Sequence, residues 1–209
     1  MSRNEVIFDA ICNGNRNKAK ESVQCAVDDG TDVELLLTES MIPAMREIGD
    51  RFARNEAFIP QMLLAARAMQ EGLAIIEPLL IESGHEPRGK VAVGSVEGDL
   101  HDIGKNLVVM MLKGAGFEVD DLGVDCKVER FHKAVTDGSK VICCSALLTT
   151  TMQNMKNVVD SFAEKDDVKV IIGGAPITQE FADTIGADGY GKYATDVTKL
   201  VCESMNLEY

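Results

Sequence analysis

Basic residues are scarce: 21 Lys and Arg stand against 34 Asp and Glu, a formal net charge of −13. Nucleic acids and anionic membrane surfaces are held by clustered cations, so the balance argues against both as partners. Long apolar runs are missing too. No stretch is long enough to span a bilayer, and the opening Met1-Ser-Arg-Asn-Glu5 turns polar before any apolar segment forms. No signal peptide is therefore expected. The six cysteines (Cys12, Cys25, Cys126, Cys143, Cys144 and Cys202) show no Cys-x-x-Cys pair and no zinc spacing. That leaves no disulfide framework and points to a reducing cytoplasm. Cys143 and Cys144 fall inside a strand pattern, where buried thiols act as small core side chains. No internal repeat or low-complexity tract is visible.

What is present is a chain of 209 residues, 45% hydrophobic, long enough for two small domains. Residues 1–86 contain no convincing strand. Short helices are expected over Glu5–Cys12 and Lys18–Val27, ended by Asn13-Gly14-Asn15 and Asp28-Asp29-Gly30. Thr31 reads as the N-cap of a third, with Glu34 completing a capping box. That helix runs to about Arg54, and Pro43 should kink it. Pro60 suits the first turn of a fourth helix, whose last turn Pro78 should bend or fray. Four helices with short connections imply an antiparallel bundle. The breaker-rich Glu82-Ser-Gly-His-Glu-Pro-Arg-Gly89 follows as a linker, with His85 solvated.

From residue 90 to 209 the pattern alternates strand and helix. Strands are expected at Val91–Val96, Glu118–Leu122, Val141–Ala146, Val168–Ile172 and Gly189–Gly191. Helices should start near Ile103, Val128, Thr151 and Thr178, with a last one from about Asp196 to Met205. Repeated βα units imply a five-stranded parallel sheet, Rossmann-like in the flavodoxin-like order. Such sheets bind ligands at the switch point between the first and third strands.

Three loops at the strand ends share that edge. They are Gly98-Asp99-Leu-His101-Asp102-Ile103-Gly104, Ser145-Ala-Leu147-Leu-Thr149-Thr-Thr151, and Gly173-Gly174-Ala-Pro176. Taken singly, each has an ordinary reading: Asp99, Ser145 and Thr151 as helix caps, His101 as a surface turn residue, the glycines as turn residues. Taken together, they can line one site. Asp99 lies close enough to His101 to hold one ring N–H and leave the other nitrogen for a metal. A lone His is too little for zinc, which takes three or four protein ligands. The Gly-rich signatures of dinucleotide and phosphate loops are absent. A metal already held in the plane of a macrocycle would need a single axial His.

Asp99-x-His101-x-x-Gly104, Ser145-x-Leu147 and Gly173-Gly174 together resemble the three-part signature of cobalamin-binding domains of the methionine synthase type. Nearly the whole chain resembles the free-standing corrinoid proteins of anaerobic, methylotrophic methyltransferase systems. Met45-Arg-Glu-Ile-Gly-Asp-Arg-Phe52 and Phe58-Ile59-Pro-Gln-Met62 resemble the helical cap over the corrin's upper face. The resemblance implies a cobalamin or related corrinoid, cycling between methylcob(III)alamin and cob(I)alamin, with His101 as lower axial cobalt ligand. Asp99 and Thr151 would form a hydroxyl–carboxylate–His relay. Gly98, Asp102, Ile103 and Gly104 would lie against the cofactor. Ser145, Leu147, Thr149, Gly173 and Gly174 would line a channel for its displaced base, and Phe52, Ile59 and Met62 would shield the methyl group.

The implied role is a carrier, not itself a catalyst. It would take a methyl group from a substrate:corrinoid methyltransferase and pass it to a tetrahydrofolate or coenzyme M methyltransferase, served by a reductive activation protein. Two rivals share the second domain: a B12-binding subunit of an adenosylcobalamin-dependent mutase, and a cobalamin-sensing regulator. The cap around Phe52 speaks against the first, and the lack of basic clusters against the second.

Overall fold

The computed structural model describes residues 3–209. By internal contacts the chain divides into two compact units. One runs through Pro87 and includes Lys113–Gly116; the other comprises Arg88–Leu112 and Phe117–Tyr209. Among the described residues, no helix is long and apolar enough to cross a membrane.

The first unit is helical. Helix α1 (Glu5–Cys12) starts at Asn4, whose side chain accepts the Val6 and Ile7 N–H groups that have no intrahelical partner. Helix α2 (Arg16–Asp28) starts in the same way at Asn15. Helix α3 (Val33–Leu36) is capped by Asp32, which accepts from Glu34 N, and not by Thr31 as the sequence suggested. Either residue type can cap, and it is the Asp32 carboxylate, one position on, that reaches the Glu34 N–H. A π-helical turn (Leu37–Met41) leads into α4 (Ile42–Ala53). Pro43 falls in the first turn of α4. The expected disturbance is therefore a widened turn just before the proline, with Ile42 N bonding to Leu37 O.

Helix α5 (Ile59–Glu82) begins at Phe58, whose N–H is accepted by the Gln61 side chain at 2.7 Å. Pro60 occupies its first turn, as anticipated, and the helix continues past Pro78 to Glu82. His85, expected to be solvated, is instead largely covered, its Nδ1 lying 3.5 Å from Glu34 Oε1.

The second unit is the expected α/β fold. Its elements are β1 (Lys90–Val96), α6 (Ile103–Gly114), β2 (Glu118–Cys126), α7 (Val128–Thr136), β3 (Val141–Ser145), α8 (Asn154–Phe162), β4 (Lys169–Gly173), α9 (Gln179–Ile185), β5 (Gly189–Gly191) and α10 (Ala194–Ser204). The strands pair in parallel in the order β2-β1-β3-β4-β5. After Lys90 every residue of β1 is buried, as a strand covered by helices on both faces must be. Val96, Ile142, Ile172, Phe131 and Met155 meet in one core. Burial pushes the Cys143 thiol up to about 12, so it serves as a neutral core side chain. This order places the switch point between β1 and β3, whose C-terminal ends, Ser95 and Ser145, are paired in register.

Candidate functional site

The turn after β1 is built around one buried carboxylate. Asp99 has no exposed surface, yet it accepts four hydrogen bonds. Its Oδ1 accepts from the His101 backbone N–H at 3.0 Å and faces His101 Nδ1 at 2.9 Å. Its Oδ2 accepts from the Leu147 N–H at 2.8 Å and from the Thr151 hydroxyl at 2.6 Å. Burial alone would raise its pKa. The Thr151 hydroxyl, the Leu147 and His101 amides and the imidazole together outweigh that, holding the carboxyl well below the usual range. Asp99 is therefore ionised at neutral pH. It makes Nδ1 the protonated nitrogen of His101 and leaves Nε2 with its lone pair.

Burying one residue of this turn and exposing the next follows from the local backbone. Gly98 adopts φ +81°, turning the chain out of the strand. The buried Ser95 hydroxyl donates to the His101 carbonyl at 2.7 Å, folding the turn back onto β1. Asn154 Nδ2 donates to the Glu97 carbonyl at 2.8 Å. The His101 ring is left 48% exposed. Beside it in sequence, and on the β3 loop that bonds Asp99, lie large apolar side chains that a folded chain would ordinarily bury: Leu100 is 71% exposed, Ile103 74%, Leu147 44% and Leu148 43%. Asp102 and Gly104 are exposed at the start of α6, and nothing lies within 4 Å of where a Gly104 Cβ would stand.

The β3 and β4 ends come alongside. Ser145 pairs in register with both Ser95 and Gly173, and Thr149 is exposed on the loop beyond. Thr151, expected to start a helix, instead lies in a turn before α8, with its hydroxyl donating to Asp99 Oδ2. Gly173 and Gly174 are needed by the protein's own backbone. A Cβ on Gly173 would stand 2.7 Å from the Gly191 carbonyl oxygen, and one on Gly174 would overlap the Ala146 carbonyl. In the helical unit, Phe52 is half-buried near the end of α4, Ile59 is exposed at the start of α5, and Met62 is fully buried.

Ser95, Asn154 and Asp125, the last bonded to Gly98, escaped the sequence reading. Ser95 carried a signal: it is the one hydroxyl in the otherwise apolar run Val91–Val96.

Among the described residues, no three His, Cys, Asp or Glu side chains gather as a metal-binding cluster. One free imidazole nitrogen beside exposed apolar side chains fits a flat cofactor that brings its own equatorial metal ligands. The arrangement is that of a cofactor-binding α/β protein. Two family models, each described as a B12 binding domain, match residues 4–77 and 89–198. Trimethylamine corrinoid protein 1 of Methanosarcina acetivorans is 40% identical over 209 residues, 96% of this chain and 97% of that protein. A corrinoid protein of Desulfitobacterium hafniense (strain Y51) is 40% identical over 207 residues, 96% of each chain. A chain of the methanol:cobalamin methyltransferase complex from Methanosarcina barkeri has a TM-score of 0.84 at 30% identity, over 96% of this chain and 78% of that one. The protein belongs to the B12-binding corrinoid protein family, and its cofactor is a corrinoid.

Proposed function

We propose that this chain shuttles a methyl group between two methyltransferases. One would load it from a small methylated substrate; the other would unload it to tetrahydrofolate or coenzyme M, with a reductive activation protein returning oxidised cofactor to its reduced state. The observation that carries the reading is His101, whose Nδ1 is taken by an ionised buried carboxylate and whose Nε2 is free on a half-exposed ring. Relatives named for trimethylamine and dimethylamine make methylated amines the first donors to test.

When bound, the corrinoid supplies a cobalt centre that takes up and surrenders the methyl group. His101 Nε2, held in direction by Asp99, would be the protein atom that binds the metal. The ionised Asp99 would stabilise positive charge on the His101 ring through Nδ1. Thr151 keeps Asp99 ionised by donating to Oδ2. Leu100, Ile103, Leu147 and Leu148 would cover the apolar edge of the macrocycle, and Ser145, Thr149, Gly173 and Gly174 would border its displaced base. Phe52, Ile59 and Met62 of the helical unit would be the residues that shield the methyl group.

Electron paramagnetic resonance of the cobalt(II) protein tests the ligand. With nitrogen-15 histidine incorporated, the axial nitrogen splitting should change isotope, and His101→Ala should abolish it. A splitting that survives in His101→Ala means the ligand is misassigned. Preference for adenosylcobalamin with a radical rearrangement would replace the carrier role by the mutase one.

Gly104 offers a second check. Ala favours helix over Gly by up to about 1 kcal/mol, and here its methyl meets no protein atom. Gly104→Ala should therefore leave the apoprotein as stable or more so, while weakening corrinoid binding. Thermal unfolding and cofactor titration on one variant measure both; unchanged affinity would place the macrocycle elsewhere.

A further inference from the structure

Strand β2 departs from regular pairing beside the His101 turn. Its register with β1 runs Val93↔Asp121, then Gly94↔Gly123, then Val96↔Cys126. So β2 carries an extra residue at Leu122 and another within Val124–Asp125. Bulges bend a strand and re-aim its side chains, and they are frequent next to functional sites. The second bulge holds Asp125 at φ +51°, a left-handed conformation that side-chain-bearing residues other than Asn and Asp adopt rarely.

That conformation lets one residue grip the turn twice. Asp125 Oδ1 accepts the Gly98 N–H at 2.7 Å, and the Asp125 N–H donates to the Asp99 carbonyl at 2.9 Å. Gly98 is itself at φ +81°, so two residues in left-handed conformations meet. On the other side of β1, Leu147 and Thr151 hold the Asp99 carboxylate from the β3 loop. The backbone of the turn is thus held from β2 and its carboxylate from β3.

We propose that Asp125 is a positioning residue for the axial ligand: it clamps the Gly98–Asp99 backbone so that the Asp99 carboxylate keeps His101 directed at the metal. Asp125 makes no hydrogen bond to His101 and acts through Asp99. The inference rests on the reading of His101 as cobalt ligand.

Three substitutions separate the two features of Asp125. Asn keeps both the acceptor and the tolerance of positive φ. Gly keeps the backbone conformation and loses the acceptor. Ala loses the acceptor and strains the backbone. In the corrinoid-loaded cobalt(II) protein, paramagnetic resonance gives the fraction of cobalt carrying the histidine nitrogen, followed against pH. Asp125→Asn should match wild type. Asp125→Gly should shift the ligated-to-free equilibrium toward free by roughly tenfold, the lower end of the usual loss for a partner behind a metal ligand. A proton competing for Nε2 then wins earlier, so the midpoint should move up by about one pH unit. Asp125→Ala should do at least as much.

Amide exchange on the apoprotein supplies a readout without cofactor: the Gly98 N–H should lose protection in the Gly variant and keep it in the Asn variant. If Gly and wild type share one midpoint, or if Asn is as impaired as Gly, the clamp is overturned. If wild type itself shows no histidine nitrogen, the cobalt-ligand reading has failed, and the clamp's purpose falls with it. Protection at Gly98 then still reports the backbone contact separately.

Discussion

Asp99→Ala should destabilise the α/β unit by about 2–5 kcal/mol, a large effect for one short side chain. Not all of the four donors around Asp99 contribute equally. The Thr151 hydroxyl can turn to the Leu148 carbonyl, 3.0 Å away, and the half-exposed imidazole can find water. The His101 and Leu147 amides have no other acceptor among the described residues and point at the vacated volume. Each orphaned buried N–H costs roughly 1–3 kcal/mol, and two of them dominate the loss. Chemical unfolding of apoprotein measures it; a loss below about 1 kcal/mol would mean that water replaces the carboxylate.

Asp99→Asn is not the mild change it resembles. All four groups around the carboxylate are donors, so an amide NH2 must face two of them in either orientation. With the amide oxygen toward Leu147, the NH2 meets His101 Nδ1. The ring is then driven to the tautomer with its proton on Nε2, where a metal cannot bind. With the oxygen toward His101, Leu147 N loses its acceptor at about 1–3 kcal/mol. Asn should therefore lose stability, axial ligation or both.

The pH dependence has a definite sign. Folding lowers the Asp99 pKa, so the network's contribution is complete above the unfolded value of about 3.9 and fades as pH falls below it. The stability gap between wild type and Asp99→Asn should be flat near neutrality and shrink in acid. A gap that widens in acid would contradict the ionised state of Asp99.

The strands and their ligand edge were legible in the sequence because parallel, doubly covered strands are apolar throughout and end at glycine or polar residues. Asp99, His101, Ser145 and Gly173 lay where the apolar runs stop, and the sheet brings those stops to one edge. The residues that escaped act on backbone. Ser95 reads as part of a strand until its hydroxyl is seen to fold the turn through the His101 carbonyl. Asp125 sits beyond the expected end of β2, and a bulge is set by pairing with β1, which local pattern does not encode. The choice of Asp32 over Thr31, and of a π-turn before Pro43, also depends on packing. Thr151 carries the expected hydroxyl bond to Asp99, while α8 starts three residues later, at Asn154.

Gly174→Ala should be the most damaging single-methyl addition near the site, costing about 3–5 kcal/mol or preventing folding of the β4 end. Gly174 lies at φ +134°, a conformation essentially reserved for glycine, and its Cβ would overlap the Ala146 carbonyl. The obstacle is backbone, not the tip of a mobile side chain. The Ala146 N–H donates to the Gly173 carbonyl at 3.2 Å, so relief would require parting the β3 and β4 loops. The Leu147 amide that serves Asp99 follows directly in that β3 loop, so the damage should reach the His101 turn. Gly186→Ala separates strain from collision. Gly186 ends α9 at φ +75° with nothing within 4 Å of its Cβ, so it bears the conformational cost alone, about 1–2 kcal/mol. Comparing the two by chemical unfolding isolates the contact with Ala146. Equal losses would show that the β3 and β4 loops yield freely, and that Gly174 is required for its backbone angle alone.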